Sequence, residues 1–178
     1  MNMKKKPVAA IAALCMAMVC AFAQDFPSYL KMEGTVITGC DKEVLPANLV
    51  IPEGVTEIGG SAFEDCTSLV SVTMAEGVKI ISNDAFSGCT SLASVTLPSG
   101  LTEIGPDAFL FCESLKSISI PRSVTKIGTY AFVGCYKITV QYDGTKEQWE
   151  EIEEDDLNWG IGTFSVRCSD GKFRKQNW

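Results

Sequence analysis

The 178-residue chain contains no histidine. This absence excludes Ser-His and Cys-His nucleophile pairs, histidine general bases and histidine-ligated metals. The sequence also has no Cys-x-x-Cys pair of the kind that binds structural zinc, and its carboxylates do not converge on an identifiable cleft. We therefore expect no catalytic residues, no metal and no cofactor, and we predict that the protein is not an enzyme.

Only one long apolar run occurs, and it lies near the N-terminus. Lys4, Lys5 and Lys6 precede an uncharged stretch from Pro7 to Phe22, and Ala21-Phe22-Ala23 matches a signal-peptidase site. We predict a signal peptide over 1–23 and no transmembrane segment after its cleavage. The alternative is a lipoprotein acylated at Cys20, which the large Val19 disfavours. The expected location is the periplasm, the cell surface or the medium.

The chain is acidic. It has 15 Lys and Arg against 22 Asp and Glu, and removal of the signal would take three lysines and leave a net charge of −10. Such a charge repels nucleic acid and anionic membrane surfaces. Nucleic acid is therefore not an expected partner.

A 23-residue sequence motif occurs in four consecutive copies. Each copy has an Ala-Phe pair and, three residues after the Phe, a cysteine. The pairs and their cysteines are Ala62-Phe63 with Cys66, Ala85-Phe86 with Cys89, Ala108-Phe109 with Cys112 and Ala131-Phe132 with Cys135. Self-similarity of this period marks a solenoid in which each copy forms one coil.

The spacing of apolar residues predicts the structure of each coil. Val72-Thr73-Met74 and its copies alternate apolar and polar residues, which predicts a short strand pointing one side chain in two into the core. The segment Ser61–Asp65 and its copies are too short for a full helix, so a single helical or 3₁₀ turn is expected there. The repeated Phe and Cys residues are predicted to form core ladders.

The repeat resembles the BspA-like leucine-rich repeat family, most closely along the phrase from Leu115 to Cys135, which includes Ile120-Pro121, Ile127-Gly128 and Ala131-Phe132. The segment from Tyr142 to Trp149 is similar to the terminal unit of that family. The resemblance implies an α/β right-handed leucine-rich-repeat solenoid of parallel short strands, with four coils and two caps. It also implies export by a host-associated bacterium, in which better-studied members act as surface adhesins.

The ends do not fit the 23-residue frame and are interpreted as caps. We divide the chain into a signal peptide (1–23), an N-terminal cap (24–48), the repeats (49–142) and a C-terminal cap and tail (143–178). In the first cap, Gly34 to Gly39 is predicted to form a strand. In the second, Thr145 to Gln148 is a capping-box signature that predicts a short helix, with Trp149 and Ile152 on its inner face.

The cysteine ladder has two interpretations. Equivalent residues in stacked coils lie about 4.8 Å apart, which is within the Cα range of a disulfide. The positions face the core, however, where free cysteine commonly packs as a small apolar residue, and we favour free thiols. Cys40 and Cys168 fall in opposite caps and are not expected to bridge.

A run of six carboxylates extends from Glu150 to Asp156. Carboxylate oxygens are ligands that Ca²⁺ prefers, but the spacing of a calcium loop is missing. A solvated helix face is the simpler interpretation.

The outer face of the predicted strands is the candidate binding surface. Its residues are small hydroxyl side chains in two columns, Ser71, Ser94 and Ser117 beside Thr73, Thr96 and Ser119. Repeat proteins use such surfaces for partners, although serine and threonine also suit any exposed strand. We predict an exported binding protein that mediates protein–protein interaction or adhesion through this face, with a protein or glycoprotein as its partner. A glycan-binding protein is the alternative, for which the sheet lacks the expected aromatics, and a hydrolase is less favoured still.

Overall fold

The structure is a computed structural model that describes residues 26–136, 138–154 and 165–173. The predicted signal peptide at 1–23 and the alternative acylation residue Cys20 lie outside the described residues.

Each coil contributes two short strands, because two stretches in every copy alternate buried and exposed side chains. The first series follows the repeated leucine, and the second precedes the repeated glycine. The first series is β3 (Asn48–Val50), β5 (Ser71–Thr73), β7 (Ser94–Thr96), β9 (Ser117–Ile120), β11 (Thr139–Tyr142) and β13 (Ser165–Cys168). The second series is β4 (Glu57–Ile58), β6 (Ile80–Ile81), β8 (Glu103–Ile104), β10 (Lys126–Ile127) and β12 (Glu153–Glu154).

The strands of successive coils pair in parallel, as expected of a leucine-rich-repeat solenoid. The cap strands β1 (Leu30–Glu33) and β2 (Val36–Cys40) continue the second series into a seven-stranded sheet of order β1-β2-β4-β6-β8-β10-β12. The first series forms two sheets, β3-β5-β7 and β9-β11-β13-β14, where β14 is Gly171–Phe173. The solenoid makes about five turns rather than the predicted four, because strands from the caps extend both series.

The repeated phenylalanines stack through the centre of the solenoid. Their ring centroids lie 5.2 Å apart between Phe63 and Phe86, 5.4 Å between Phe86 and Phe109 and 5.5 Å between Phe109 and Phe132. All four rings are almost completely buried, as are the alanines that precede them. Burial of large apolar side chains in every coil is the main favourable contribution to folding.

The segments where a helical or 3₁₀ turn was expected are series of tight turns. In the first coil, Ala62 N–H donates to Gly59 O and Cys66 N–H donates to Phe63 O. The backbone takes a left-handed conformation twice per coil, at two equivalent sets of positions. These are Ser61, Asp84, Asp107 and Tyr130, and then Asp65, Gly88, Phe111 and Gly134. A left-handed residue interrupts a right-handed helical turn, which explains the difference from the expectation.

These turn segments bond from coil to coil as regularly as the strands do. Phe63 N–H donates to Ala85 O at 2.9 Å, and the same bond recurs from Phe86 to Ala108 and from Phe109 to Ala131. Backbone polar groups that would otherwise be buried without partners are satisfied in this way. Consecutive coils therefore approach closely, and a Cβ added at Gly128 would lie 2.3 Å from Pro106 N.

The C-terminal cap covers the last coil. Helix α1 (Lys146–Glu150) has Thr145 as its N-cap, and both hydrogen bonds of the predicted capping box with Gln148 are present. Trp149 and Ile152 are buried, and the Trp149 ring meets the Tyr142 ring edge-on at 5.1 Å. The N-terminal cap covers the opposite end with the antiparallel hairpin of β1 and β2.

Candidate interaction surface

The candidate surface is the outer side of the first strand series. Val72 and Val95 point into the core, so their neighbours point outward: Ser94, Thr73 and Thr96 are exposed, and Ser71 is half-buried. Parallel pairing places Ser71 opposite Ser94 and Thr73 opposite Thr96. These four predicted residues therefore lie side by side on one sheet.

The structure places the other two predicted residues on a separate sheet. Ser117 and Ser119 are exposed on β9, which begins the four-stranded sheet, whereas the three-stranded sheet ends at β7. The two sheets are neighbours in space, but the strand ladder is interrupted between them. The predicted columns are thus two aligned groups rather than one continuous row.

Strand pairing also extends the surface beyond the predicted residues. Asn48 and Val50 continue it on one side, and Ser71 donates a hydrogen bond of 2.7 Å to the side-chain oxygen of Asn48. On the other side the paired positions add Thr139, Gln141, Ser165 and Arg167. The 23-residue repeat did not predict these residues, for two reasons. Asn48 and Val50 precede the first full copy, and the strands β11 and β13 do not follow the 23-residue interval. We call these twelve outward positions of β3, β5, β7, β9, β11 and β13 the strand face.

The strand face carries no carboxylate, although the chain has 22 acidic residues. Arg167 is its one charged side chain. Acidic residues occupy other sides of the coil, such as Glu57 and Glu103 on the seven-stranded sheet and Asp84 and Asp107 on the turns. The face is therefore electrostatically unlike the rest of this acidic protein.

A second exposed group was not predicted. Phe111, Tyr130 and Tyr136 are about half exposed in the turn segments of the third and fourth coils. Phe111 lies over the next coil, where a Cβ added at Gly134 would be 2.5 Å from its ring. We call these three residues the aromatic edge. Alignment of the copies could have revealed it, because Tyr130 and Phe111 replace the Ser, Asp or Gly found at equivalent positions.

The repeated cysteines are buried thiols. Cys89 donates to Phe63 O at 3.1 Å, and Cys112 and Cys135 make the same bond to the phenylalanine of their preceding coil. Burial raises the pKa of Cys89 to about 12. A buried thiol whose pKa is raised is a poor nucleophile, so these residues serve packing. Cys168, in β13, is half-buried, and its pKa is raised mainly by burial.

The acidic run offers no assembled metal site in the described ranges. Glu150 and Glu151 are exposed there, and no three His, Cys, Asp or Glu side chains among the described residues come together. Asp155 and Asp156 lie outside the described residues. In the part of the chain that the structure covers, no helix is long and apolar enough to cross a membrane.

Comparison with known proteins gives leucine-rich repeat proteins among the relatives of this chain. The model of the BspA type leucine rich repeat region matches residues 43–152 with six copies. The structure resembles that of a T. pallidum leucine-rich repeat protein, with 32% identity and a TM-score of 0.63 over 78% of this chain and 64% of that one. A leucine-rich cell surface protein from Faecalibacterium prausnitzii is 30% identical, with a TM-score of 0.53 over 68% and 38% of the chains.

A leucine-rich repeat protein from Bacteroides ovatus is also similar, with 28% identity and a TM-score of 0.54 over 75% of this chain and 41% of that one. The chain thus spans less than two thirds of the length of these three solved relatives. No curated protein matches the sequence. The family match covers well over half of the chain and agrees with the observed coils and their pairing. The chain belongs to the BspA-type leucine-rich repeat family.

Proposed function

We propose that the chain is an exported bacterial binding protein whose strand face contacts a protein or glycoprotein partner, with adhesion as its role. The observation that carries this proposal is the absence of carboxylates from the twelve strand-face positions of an acidic chain. If acidic residues were distributed at random over the surface, we would expect some of them on the strand face as well as on the other sides of the solenoid. A neutral face lets a partner approach without the repulsion that the rest of the surface exerts on acidic proteins.

The side chains of the strand face suit close contact. Ser94, Thr96, Ser117 and Ser119 are exposed, and their hydroxyls can both donate and accept hydrogen bonds. Short side chains also lose little conformational entropy when a partner covers them. Val50, which is 63% exposed, adds an apolar contact at one end. The face therefore combines a polar centre with one apolar margin.

Export is supported by two independent observations. The N-terminal sequence has the basic, apolar and small-residue segments of a signal peptide. A solved relative with 30% identity is a cell surface protein. Secretion of a reporter fused to residues 1–23 tests this part of the proposal, and retention of the fusion in the cytoplasm would contradict it.

Paired substitutions test the strand face. Ser94→Arg with Thr96→Arg places two large cations at its centre, whereas Thr102→Arg with Thr125→Arg makes the same change at exposed positions beside the seven-stranded sheet. Binding of each variant to an immobilised panel of extracellular-matrix and serum proteins is measured by interferometry. We expect the first pair to lose binding at least tenfold and the second pair to retain it. Equal binding by both pairs would disprove the role of the strand face.

The aromatic edge favours a second candidate function, which is glycan binding. Phe111, Tyr130 and Tyr136 offer exposed rings, and aromatic rings are common contacts in ligand sites. A glycan array separates the two functions. Phe111→Ala with Tyr136→Ala should remove a glycan signal that Ser94→Arg with Thr96→Arg retains. A signal that survives loss of both rings would exclude this edge as the glycan site.

A further inference from the structure

The first of the four repeated cysteines, Cys66, has a different hydrogen-bond partner from the other three. Cys89, Cys112 and Cys135 each donate to the carbonyl of the residue 26 positions earlier, which is a phenylalanine. Cys66 also has its partner 26 positions earlier, but there the partner is the side chain of Cys40, with the two sulfur atoms 3.4 Å apart. Cys66 therefore contacts another thiol, that of Cys40, where the other three cysteines contact a backbone carbonyl.

The two thiols belong to different parts of the fold. Cys40 is the last residue of β2 in the N-terminal cap, and Cys66 lies in the turn segment of the first coil. Cys66 is buried, whereas Cys40 is half-buried and open to a reagent from solvent. Lys31 and Lys42 lie near Cys40 and favour its thiolate. A half-exposed cysteine close to cations is the environment of a reactive thiol.

We propose that Cys40 and Cys66 are a redox-active pair that a small-molecule disulfide oxidises to an intramolecular disulfide, which fastens the N-terminal cap to the first coil. The 25 residues between them would close a loop that holds the cap strand β2 on the solenoid. The ladder thiols Cys89, Cys112 and Cys135 stay reduced because they are buried and bond to backbone carbonyls, so a mixed disulfide at Cys40 does not meet them.

The reaction proceeds by two exchange steps. The Cys40 thiolate attacks one sulfur of the external disulfide RS–SR, which forms Cys40–S–SR and releases RS⁻, and this anion takes a proton from solvent. Cys66 then loses its proton to solvent, and its thiolate attacks the Cys40 sulfur. The Cys40–Cys66 bond forms as the second RS⁻ leaves and is protonated. Two protein thiols are oxidised, and one external disulfide is reduced to two thiols.

The order of attack follows from the exposure of the two thiols, because Cys40 is half-buried beside Lys31 and Lys42 whereas Cys66 is buried. The hydrogen bond between the two thiols is the largest cause that lowers the pKa of Cys40, and the same contact raises the pKa of Cys66. Cys40 is therefore the first nucleophile. Once Cys40 is in the mixed disulfide it carries no charge, so it no longer opposes the ionisation of Cys66.

Peptide mapping tests the proposal. The full chain is equilibrated in reduced and oxidised glutathione near neutral pH, blocked by alkylation and digested with trypsin. Cleavage after Lys31, Lys42 and Lys79 leaves Cys40 and Cys66 as single cysteines in the peptides 32–42 and 43–79, whereas Cys89 and Cys112 share the peptide 80–116. We expect oxidised glutathione to link peptide 32–42 to peptide 43–79. A persistent glutathione adduct on Cys40, or a link from 43–79 to 80–116, would overturn the proposal.

Two variants and a second measurement complete the test. Cys40→Ser should abolish the linked peptide, whereas Cys168→Ser, at a similarly half-buried position in the other cap, should leave it unchanged. Oxidation should raise the Tm of the unsubstituted chain by about 5–10 °C, the effect expected for closing a loop of this length. The Tm of Cys40→Ser should not respond to glutathione. An unchanged Tm in the oxidised unsubstituted chain would contradict the fastening of the cap.

Discussion

Phe86 and Phe109 stack with their ring planes 5° from parallel and their centroids 5.4 Å apart. Phe86 lies between the rings of Phe63 and Phe109, and Phe109 lies between the rings of Phe86 and Phe132. Loss of one inner ring therefore exposes two neighbours to a cavity. Because every coil contacts the next through this column, its integrity determines the cooperativity of the whole solenoid.

Phe86→Ala should lower the free energy of unfolding by about 3–5 kcal/mol, the usual cost of removing a buried aromatic ring. Urea denaturation followed by circular dichroism measures the change. Phe111→Ala is the matched control, because Phe111 is 48% exposed and its loss should cost less than about 1 kcal/mol. Similar losses in the two variants would mean that the ring column does not stabilise the fold.

Tyr130→Asn should stabilise the protein. Tyr130 has a φ of 58°, a conformation that costs an ordinary residue about 1–2 kcal/mol and that Asn adopts more readily. We expect a gain of about 0.5–1 kcal/mol, measured as a higher midpoint in urea. Tyr130→Val, which places a β-branched residue at the same φ, should shift the midpoint in the opposite direction. A lower midpoint for Tyr130→Asn would show that contacts of the ring outweigh the backbone cost.

Gly128→Ala should destabilise the protein by at least about 1–3 kcal/mol, because its Cβ would be 2.3 Å from Pro106 N and 2.6 Å from Gly105 C. Backbone atoms of the preceding coil cannot move aside without opening the stack. Gly39→Ala is the control, since the nearest atom to its Cβ would be a Lys31 side-chain carbon at 3.4 Å. Thermal unfolding of both variants measures the difference, and a neutral Gly128→Ala would refute the close approach of the coils.

Asp107 makes the stability depend on pH. Burial raises the pKa of its carboxyl, and the nearby carboxylate of Asp84 adds to the effect. A carboxyl whose pKa is higher in the folded state contributes stability below its unfolded pKa of about 3.9 and loses that contribution as the pH rises through the folded pKa. Asp107→Asn should therefore raise the Tm at neutral pH.

The gain from Asp107→Asn should shrink as the pH falls through the raised folded pKa of Asp107, and it should be absent below about 3.9, where the carboxyl is neutral in the folded and unfolded states alike. Asp143→Asn, at an exposed position, controls for the loss of one negative charge. Calorimetry at several pH values measures both variants. A gain that is the same at every pH would mean that the charge of Asp107 is not its cause.

The repeat alone was sufficient to predict the solenoid. The 23-residue spacing of Phe63 and its copies predicted the stacked coils and parallel strands, because one structural unit repeated in sequence must meet neighbours of the same shape. The tight turns were predicted less well. Asp84 and Asp107 tolerate a left-handed backbone, but Ser61 and Tyr130 give little sign of it, so the sequence of these segments fits a helical turn equally well.

Features that join a cap to a coil could not be predicted from the repeat. Cys40 lies outside the 23-residue frame, so its contact with Cys66 depends on how β2 docks on the first coil. The interruption between β7 and β9 is likewise absent from the pattern, because Ser94 and Ser117 are equivalent in sequence. Such differences arise from the relative placement of whole coils, which no single copy encodes.

The hydrogen bonds from each turn segment to the next make the coils interchangeable. The bond from Phe63 to Ala85 recurs from Phe86 to Ala108, so a duplicated coil inserted between them would present the donors and acceptors that its neighbours already use. Unequal recombination within the gene could therefore add or remove whole coils, because each new contact between coils would use the same backbone hydrogen bonds. The number of coils is then a trait on which selection can act separately from the structure of each one.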